Sequence, residues 1–453
     1  MAKKHIFIDW NGVEAGYGFL APGYEPQNAS PYGVRILAEK PELDPVPALS
    51  ADKPWEDRCL NDYTSVMKVG DTFRMYYECF ARETHENCNY RFCLALSKDG
   101  VHWEKPSLGI CVYDGSTDNN ILVNCIGLRT YGYTVIYEED APPAERFKMV
   151  HTQHNYREDG SLQVVTVYET SEDGLHFTPQ RTLFEGGDAP ASLFRDPNTG
   201  NYVVYSKTRD PRYLARRTIM RCEGERFDQM TAPEIVLYND PADPPDIDYY
   251  TSSCHPFPGA DNAYIMLPAC YHRTSDLVDI RLYTSRDGRM WYRPMGEGAW
   301  VENTRQNKSC YAGIGILESG DGTWSMFVGS SDHGHNDYNG ECVHIYRAVL
   351  REDGFLCLYA PSYGGFVTET LTSDSTALIW NAETEPNGFI RAEIVDAKTC
   401  EPFPGFSFAE FSAEKTDSIH TRVQWKEPLS SLSGKPFRIR FELFKARLYS
   451  YTL

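Results

Sequence analysis

Three aspartates occur in similar settings, each just ahead of an apolar hairpin. Asp62 lies in Leu60-Asn-Asp-Tyr-Thr-Ser, Asp188 in Glu185-Gly-Gly-Asp-Ala-Pro, and Asp248 in Asp246-Ile-Asp-Tyr-Tyr-Thr-Ser-Ser. Asp246 and Glu185 are nearby competitors. Aspartate is common in strand-leading turns, so one such residue means little; three in phase with a repeat form a pattern. Carboxyl groups crowded into one place titrate apart. Repulsion and burial raise one of them, which then holds a proton near neutral pH as an acid must. A second set of polar residues follows the next strand of each hairpin: Glu78 and Arg82, His151 and His154, Lys207 and Arg209, His272 and Arg273, Asp332 and His333. Most residues of this kind are solvated loop residues. Yet every copy ends on a His, Lys or Arg, which suits a hydrogen-bonding pocket. His333-Gly-His335 is too short a ligand set to predict a metal, and no cofactor is expected.

The elements that must position these groups are short alternating segments bounded by Gly, Asp, Asn and Pro. An internal repeat organises them. Ser97-Lys-Asp-Gly-Val-His-Trp103, Ser171-Glu-Asp-Gly-Leu-His-Phe177 and Ser285-Arg-Asp-Gly-Arg-Met-Trp291 share one pattern. Cys222-Glu-Gly-Glu-Arg-Phe227 is a degenerate copy, and Arg351-Glu-Asp-Gly-Phe355 closes the series. Each copy ends a strand with an Asp-Gly turn and hands an aromatic residue to the next. Five units of roughly 60 residues predict the radial sheets of a five-bladed β-propeller over residues 1–355, with residues 1–55 packing on it. Residues 356–453 change character and predict a β-sandwich, through runs such as Phe389-Ile-Arg-Ala-Glu-Ile-Val and Phe437-Arg-Ile-Arg-Phe-Glu-Leu. The fold class expected is therefore all-β.

A length of 453 residues suits two domains, and 41% hydrophobic with 24% charged residues is a globular composition. A net charge of −20 argues against nucleic acid and anionic membrane as partners. The start lacks the apolar core of a signal peptide, and no apolar run is long enough for a membrane helix. Thirteen cysteines without a CxxC pair read as reduced core residues, Cys79, Cys93, Cys111, Cys125, Cys270 and Cys357 among them. A cytoplasmic location follows as the expectation, and a homo-oligomer is compatible with the sequence. Aromatic content of 13%, with 30 Tyr, fits pleated surfaces and also fits stacking on sugar rings.

The first repeat carries a resemblance. Asn61-Asp62 leading to Gly70-Asp-Thr-Phe-Arg-Met-Tyr-Tyr77 resembles the Asn-Asp-Pro-Asn-Gly strand of the invertase-like and arabinanase-like glycoside hydrolases, enzymes on five-bladed propellers. Leu94-Ala-Leu-Ser-Lys-Asp-Gly-Val-His-Trp-Glu104 resembles the segment that follows it there. The Pro and Gly of that motif are replaced by Tyr63 and Ser65, and the resemblance covers the propeller alone. Pro54-Trp55-Glu56, Asn119-Asn120 and the Leu448-Tyr-Ser-Tyr451 ending look closest to a poorly characterised bacterial group of that superfamily. The resemblance implies cleavage of a furanoside or related oligosaccharide, with Asp62 as nucleophile or base, Asp188 as a stabiliser binding sugar hydroxyls and Asp248 as acid. Glu78, Arg82, Lys207, His272, Arg273, Asp332 and His333 would contact substrate, Glu78 being the reserve acid. Trp55 and Tyr249 are candidate stacking platforms.

Two matches are set aside. Arg195-Asp196-Pro197 copies a family triplet but stands too close to Tyr202, on the turn away from the inner-strand starts. The Glu-Cys acid motif is absent where the fourth repeat would place it, since Ser252-Ser253 occupy that stretch, and Glu341-Cys342 falls in another repeat. Two further readings remain open: a phosphorylase or transglycosylase on the same scaffold, and a non-catalytic carbohydrate-binding propeller.

Overall fold

The computed structural model describes residues 3–14, 31–57, 59–81, 90–210, 216–239, 241, 243–296, 298–304, 307–337, 343–413 and 417–453. Among them the regular structure is β-sheet, apart from short 3-10 turns such as Pro54–Glu56 and Leu429–Leu432. No helix of the described residues is long and apolar enough to cross a membrane. The chain divides into two compact units, one of residues 40–257 and 262–349, the other of residues 1–39, 258–261 and 350–453.

The larger unit is a β-propeller arrangement with four blades and additional sheets. Three blades are plain antiparallel four-stranded sheets laid down in chain order. The first runs Leu60–Val69, Thr72–Phe80, Tyr90–Ser97, Ile121–Asn124; the second Thr130–Tyr137, Phe147–Tyr156, Leu162–Ser171, Thr178–Glu185; the third Asp188–Arg195, Tyr202–Asp210, Arg216–Gly224, Glu234–Leu237. A fourth, of Ser309–Ala312, Thr323–Ser331, His344–Arg351 and Glu42–Leu43, takes its outer strand from near the start of the chain. Where a fifth blade is expected, the stretch is divided. Ile247–Tyr249, Ala269–His272 and Leu277–Ile280 continue the fourth blade's sheet through a parallel Val278–Ser309 pair, whereas Cys254–Pro256, Tyr264–Met266 and Tyr283–Ser285 form a separate three-stranded sheet.

The repeated turn has one physical form in three places. Ser97, Ser171 and Ser285 each end a strand, and each hydroxyl accepts the N–H of the turn glycine at 2.9 Å. The intervening Asp99, Asp173 and Asp287 accept backbone N–H groups beyond it. Gly100, Gly174 and Gly288 take φ of 73°, 72° and 68°, a left-handed conformation that favours glycine.

Apolar side chains collect between neighbouring sheets. Tyr76, Phe92, Tyr133 and Met149 pack together, as do Val150, Tyr168, Leu193 and Val204, and Tyr205, Tyr249, Tyr264 and Met266. Central strands are thus covered on both faces and read as near-continuous apolar runs, Tyr90–Ser97 being one. Along the inner strands the bonds between sheets come from small hydroxyls. Ser65 Oγ accepts the Val135 N–H, Ser192 meets Ser252, Ser253 donates to the Gly313 carbonyl, and Ile314 exchanges backbone bonds with Thr64 and Val66. With the Tyr131 hydroxyl bonding Asp188 between the second and third blades, these contacts followed in order return to the strand where they began.

The smaller unit is one seven-stranded sheet over a core of Phe366, Trp380, Ile390, Ile394, Phe441 and Leu443. Its members include Lys4–Ile6, paired with Phe437–Thr452, and Arg35–Ala38, paired with Leu356–Val367. The N-terminal stretch expected to pack on the propeller is shared: residues 1–39 belong to this sheet's unit, and Glu42–Leu43 to the other.

Candidate active site at the inner-strand starts

Asp62 and Asp188 owe their positions to matching irregularities. Leu60 pairs with Cys79 and Thr64 with Tyr77, so Asn61, Asp62 and Tyr63 face the single residue Glu78. In the third blade Asp188 pairs with Lys207 and Ser192 with Tyr205, so three residues again face one. Bulges of this kind take side chains out of the ladder and re-aim them. The two acids are not in the same phase, however: Asp188 is the last paired residue before its bulge, while Asp62 lies inside its own.

Their environments differ. One oxygen of Asp62, Oδ1, is buried and has no hydrogen-bond partner. The Asp62 backbone N–H bonds to Asn61, and burial pushes its carboxyl up to about 7. Burial also acts on Asp188, but Lys207 Nζ at 2.9 Å, the Tyr131 hydroxyl at 2.9 Å and the Ala189 N–H at 2.8 Å outweigh it and hold the carboxyl below its ordinary value. Tyr131 also meets His154 Nε2 at 2.9 Å, and burial keeps that imidazole below its usual range.

Aromatic rings join the two acids. Asp62 acts electrostatically on Tyr63 and Tyr311, whose rings lie 6.1 Å apart, and Tyr311 lies 6.0 Å from Tyr250. Lys207 Nζ sits 3.6 Å over the Tyr250 ring while holding Asp188. On the other side Tyr131 stacks on Tyr90, which in turn acts on Tyr63. His335 Nδ1 bonds the Tyr311 hydroxyl at 2.6 Å, and burial with the charges of Arg217 and Lys207 brings this imidazole down to about 4. Asp248 joins through Arg217, whose guanidinium lies 4.7 Å over Tyr250.

Asp248 corrects one expectation. It is fully buried, yet Arg273 through Nε and Nη2, and Arg217 through its backbone N–H and Nη1, overcome the burial and hold it below the ordinary carboxylate range. A carboxylate held ionised by two guanidinium groups is a poor proton donor near neutral pH, so the acid role does not suit it.

Several expected contacts also fall elsewhere. Glu78 is 1% exposed and accepts from Asn61 Nδ2 and from the N–H groups of Gly132 and Tyr133. It fastens the first blade to the second and has no face for substrate, and burial pushes it up to about 7. His272 bonds Asp279 on the neighbouring strand at 2.8 Å. With Cys270 this pair is the one three-residue group among the described residues able to gather round a metal, its ligand atoms lying within 4.8 Å of one another. Arg281 Nε already stands 3.6 Å from Asp279 Oδ1, which opposes a dication there. Asp332 is exposed with no hydrogen bond or ion pair among the described residues. His333 turns its Nδ1 to the Gly334 carbonyl, and the histidine at the aromatic cluster is His335. Arg82 lies outside the described residues. Lys207 and Arg273 both reach the candidate carboxylates.

The platforms differ as well. Trp55 donates to Asn120 and packs inward, and Tyr249 is fully buried with its hydroxyl on Asp243 and Tyr283. The adjacent Tyr250 faces the cluster instead, as strand alternation requires. Asp196 sits at the turn, accepting the Tyr264 hydroxyl. Tyr63, Tyr131, Arg217, Tyr250 and Tyr311 were not singled out from the sequence. Tyr63 stands beside Asp62 and Tyr250 beside Tyr249 in the sequence, and nothing comparable marks Tyr131, Arg217 or Tyr311.

No family model matches the chain, and no curated protein sequence matches it. Solved structures similar to it include glycoside hydrolases. A Bombyx mori GH32 beta-fructofuranosidase is 9% identical with a TM-score of 0.48, over 90% of this chain and 95% of that one. An alpha-L-arabinofuranosidase from Podospora anserina in complex with cellotriose is 11% identical with a TM-score of 0.47, over 70% of this chain and 98% of that one. A structure described as a glycoside hydrolase is 10% identical with a TM-score of 0.48, over 69% of this chain and 92% of that one.

Proposed function

We propose that this protein is a glycoside hydrolase whose reaction centre is the Asp62–Asp188 cluster, acting on a furanoside or related oligosaccharide. The observation that carries this reading is the opposed state of the two carboxyl groups. Asp62 keeps its proton to about pH 7 and has a buried oxygen without a partner, whereas Asp188 is held ionised by Lys207 and Tyr131. Such a divergence separates acid from base. Asp62 donates its proton to the leaving glycosidic oxygen, and Asp188 acts as the carboxylate on the anomeric side. This moves the acid role from Asp248 to Asp62, and the nucleophile or base role from Asp62 to Asp188, which the resemblance implies to be a stabiliser. Asp248 becomes the anchor for Arg217 and Arg273, and Tyr63 and Tyr250 offer faces on which a sugar ring can stack.

We read the divided stretch between Ile247 and Val301 as a fifth blade split by its own bulge, supported by the closed sequence of inner-strand contacts. The long strands Leu378–Asp396 and Phe437–Thr452, with register shifts along them, support reading the smaller unit as a sheet folded into a sandwich. The test of function is a screen of aryl furanosides and pyranosides with the purified protein beside Asp62→Asn and Asp188→Asn. A loss of about 100-fold or more in both variants is expected. Near-normal rates in both would remove the site, and no cleavage of any glycoside would leave a carbohydrate-binding propeller.

A further inference from the structure

Among the described residues, the cations in the cluster hold more donors than there are acceptors to satisfy them. Arg217 makes one side-chain hydrogen bond among the described residues, from Nη1 to Asp248 at 2.9 Å, and its guanidinium lies 4.7 Å over Tyr250 and 5.7 Å over Tyr271. Arg273 gives Nε and Nη2 to the same carboxylate, leaving Nη1 without an acceptor among the described residues. Lys207 has Asp188 as its one ion-pair partner among the described residues and is almost fully buried. The nearby acceptors are already engaged. Asp188 and Asp248 hold these cations, and Asp276 takes the Tyr271 hydroxyl with the N–H and side-chain amide of Asn336. Asp62 has an open oxygen and acts electrostatically on Tyr63 and Tyr311.

A sugar hydroxyl both donates and accepts, so a patch of donors alone is poorly matched by a neutral ring. An acceptor-only group matches it, and guanidinium groups favour carboxylate and phosphoryl oxygens with paired N–H bonds. We infer that Lys207, Arg217 and Arg273 form an oxyanion subsite beside Asp188, which receives either an acidic group carried by the sugar or free inorganic phosphate. This rests on the reaction centre proposed above and names its substrate class. As free phosphate, the anion would attack the anomeric carbon in place of water; the glycosidic bond breaks, the leaving oxygen takes the proton from Asp62, and a sugar phosphate forms.

The test is titration calorimetry of the whole protein with D-glucose, D-glucuronate, a hexose phosphate and inorganic phosphate, on wild type and Arg273→Gln. Arg217 stays in Arg273→Gln to neutralise Asp248, and melting temperature checks the fold. At least one anion should bind about tenfold or more tighter than glucose and lose about that factor in Arg273→Gln, since a bond to a charged donor is worth that much. Glucuronate or hexose phosphate binding above inorganic phosphate assigns the anion to the sugar. Inorganic phosphate binding, with turnover that requires it, assigns it to the co-substrate. Equal binding of glucose and every anion, or no effect of Arg273→Gln on anion affinity, overturns the subsite. Anion binding that persists while Asp62→Asn keeps full turnover would instead refute the reaction centre and leave the subsite standing.

Discussion

At the scale of single residues, the proposed chemistry turns on two carboxyl groups and what surrounds them. With Asp62 as the proton donor, turnover falls as pH rises through about 7, where this group loses its proton. Asp188 must be ionised, and Lys207 and Tyr131 keep it so to below its ordinary range, so the acid limb lies at low pH. A rate profile flat over mildly acidic pH and declining above neutrality is the expected outcome; a decline starting well below pH 6 would contradict the assignment. Lys207→Met removes the ion pair and leaves burial to act on Asp188. The acid limb then moves up in pH, and Tyr131→Phe moves it the same way by less, since one neutral hydrogen bond is worth roughly 0.5–1.5 kcal/mol. The pH dependence of kcat/KM for the three proteins measures this. Asp62, Asp188, Lys207 and Arg273 were legible because polar residues at the ends of apolar strands stand out. Tyr249 against Tyr250, and His333 against His335, show what was not legible. Alternation reverses a side chain's face with each step, and a bulge shifts the phase without leaving a mark in the sequence.

At the scale of elements, the site depends on the sheets holding their bulged inner strands in register. Glu78 is the clearest fastening, read from the sequence as a substrate contact because its bonds reach Gly132 and Tyr133, over 50 positions away. In Glu78→Gln one amide edge turns N–H toward a donor. Stability should fall by about 1–3 kcal/mol at mildly acidic pH. The pH trend has a definite sign. A carboxyl raised in the folded state stabilises below its unfolded value, and that contribution is lost as pH rises through about 7. The wild type should therefore lose stability between pH 5 and 8, and Glu78→Gln should show a flatter slope, measured by urea denaturation across that range. Equal slopes would mean Glu78 stays charged in the fold. Gly329 serves the site directly, since a Cβ there would meet the Asp62 Cα at 2.6 Å and its carbonyl oxygen at 2.7 Å. Gly329→Ala should cost activity by pushing Asp62 aside. A variant of wild-type rate would show that this backbone contact yields freely.

At the scale of the whole molecule, the repeated turns were legible and the long-range pairings were out of reach. The Ser-x-Asp-Gly turns are self-contained, so their hydrogen bonds are written within a few positions. Nothing near Lys4–Ile6 or Arg35–Ala38 announces partners at Phe437–Thr452 and Leu356–Val367, and strand pairing at such separation has no sequence periodicity of its own. This division makes a prediction about truncation. A chain of residues 1–349 keeps the N-terminal strands but loses the sheet they complete, exposing their edges and the apolar Phe7 and Val13 that belong to its core. A chain of residues 40–349 lacks those strands, yet retains Glu42–Leu43 to close against the strand that begins at His344. The shorter fragment should therefore be the more soluble and monomeric of the two by size-exclusion chromatography, against the usual rule that more native chain is better. If residues 1–349 prove the better behaved, the N-terminal segment has a stabilising partner within residues 40–349, and the pairing with the C-terminal strands is not what holds it.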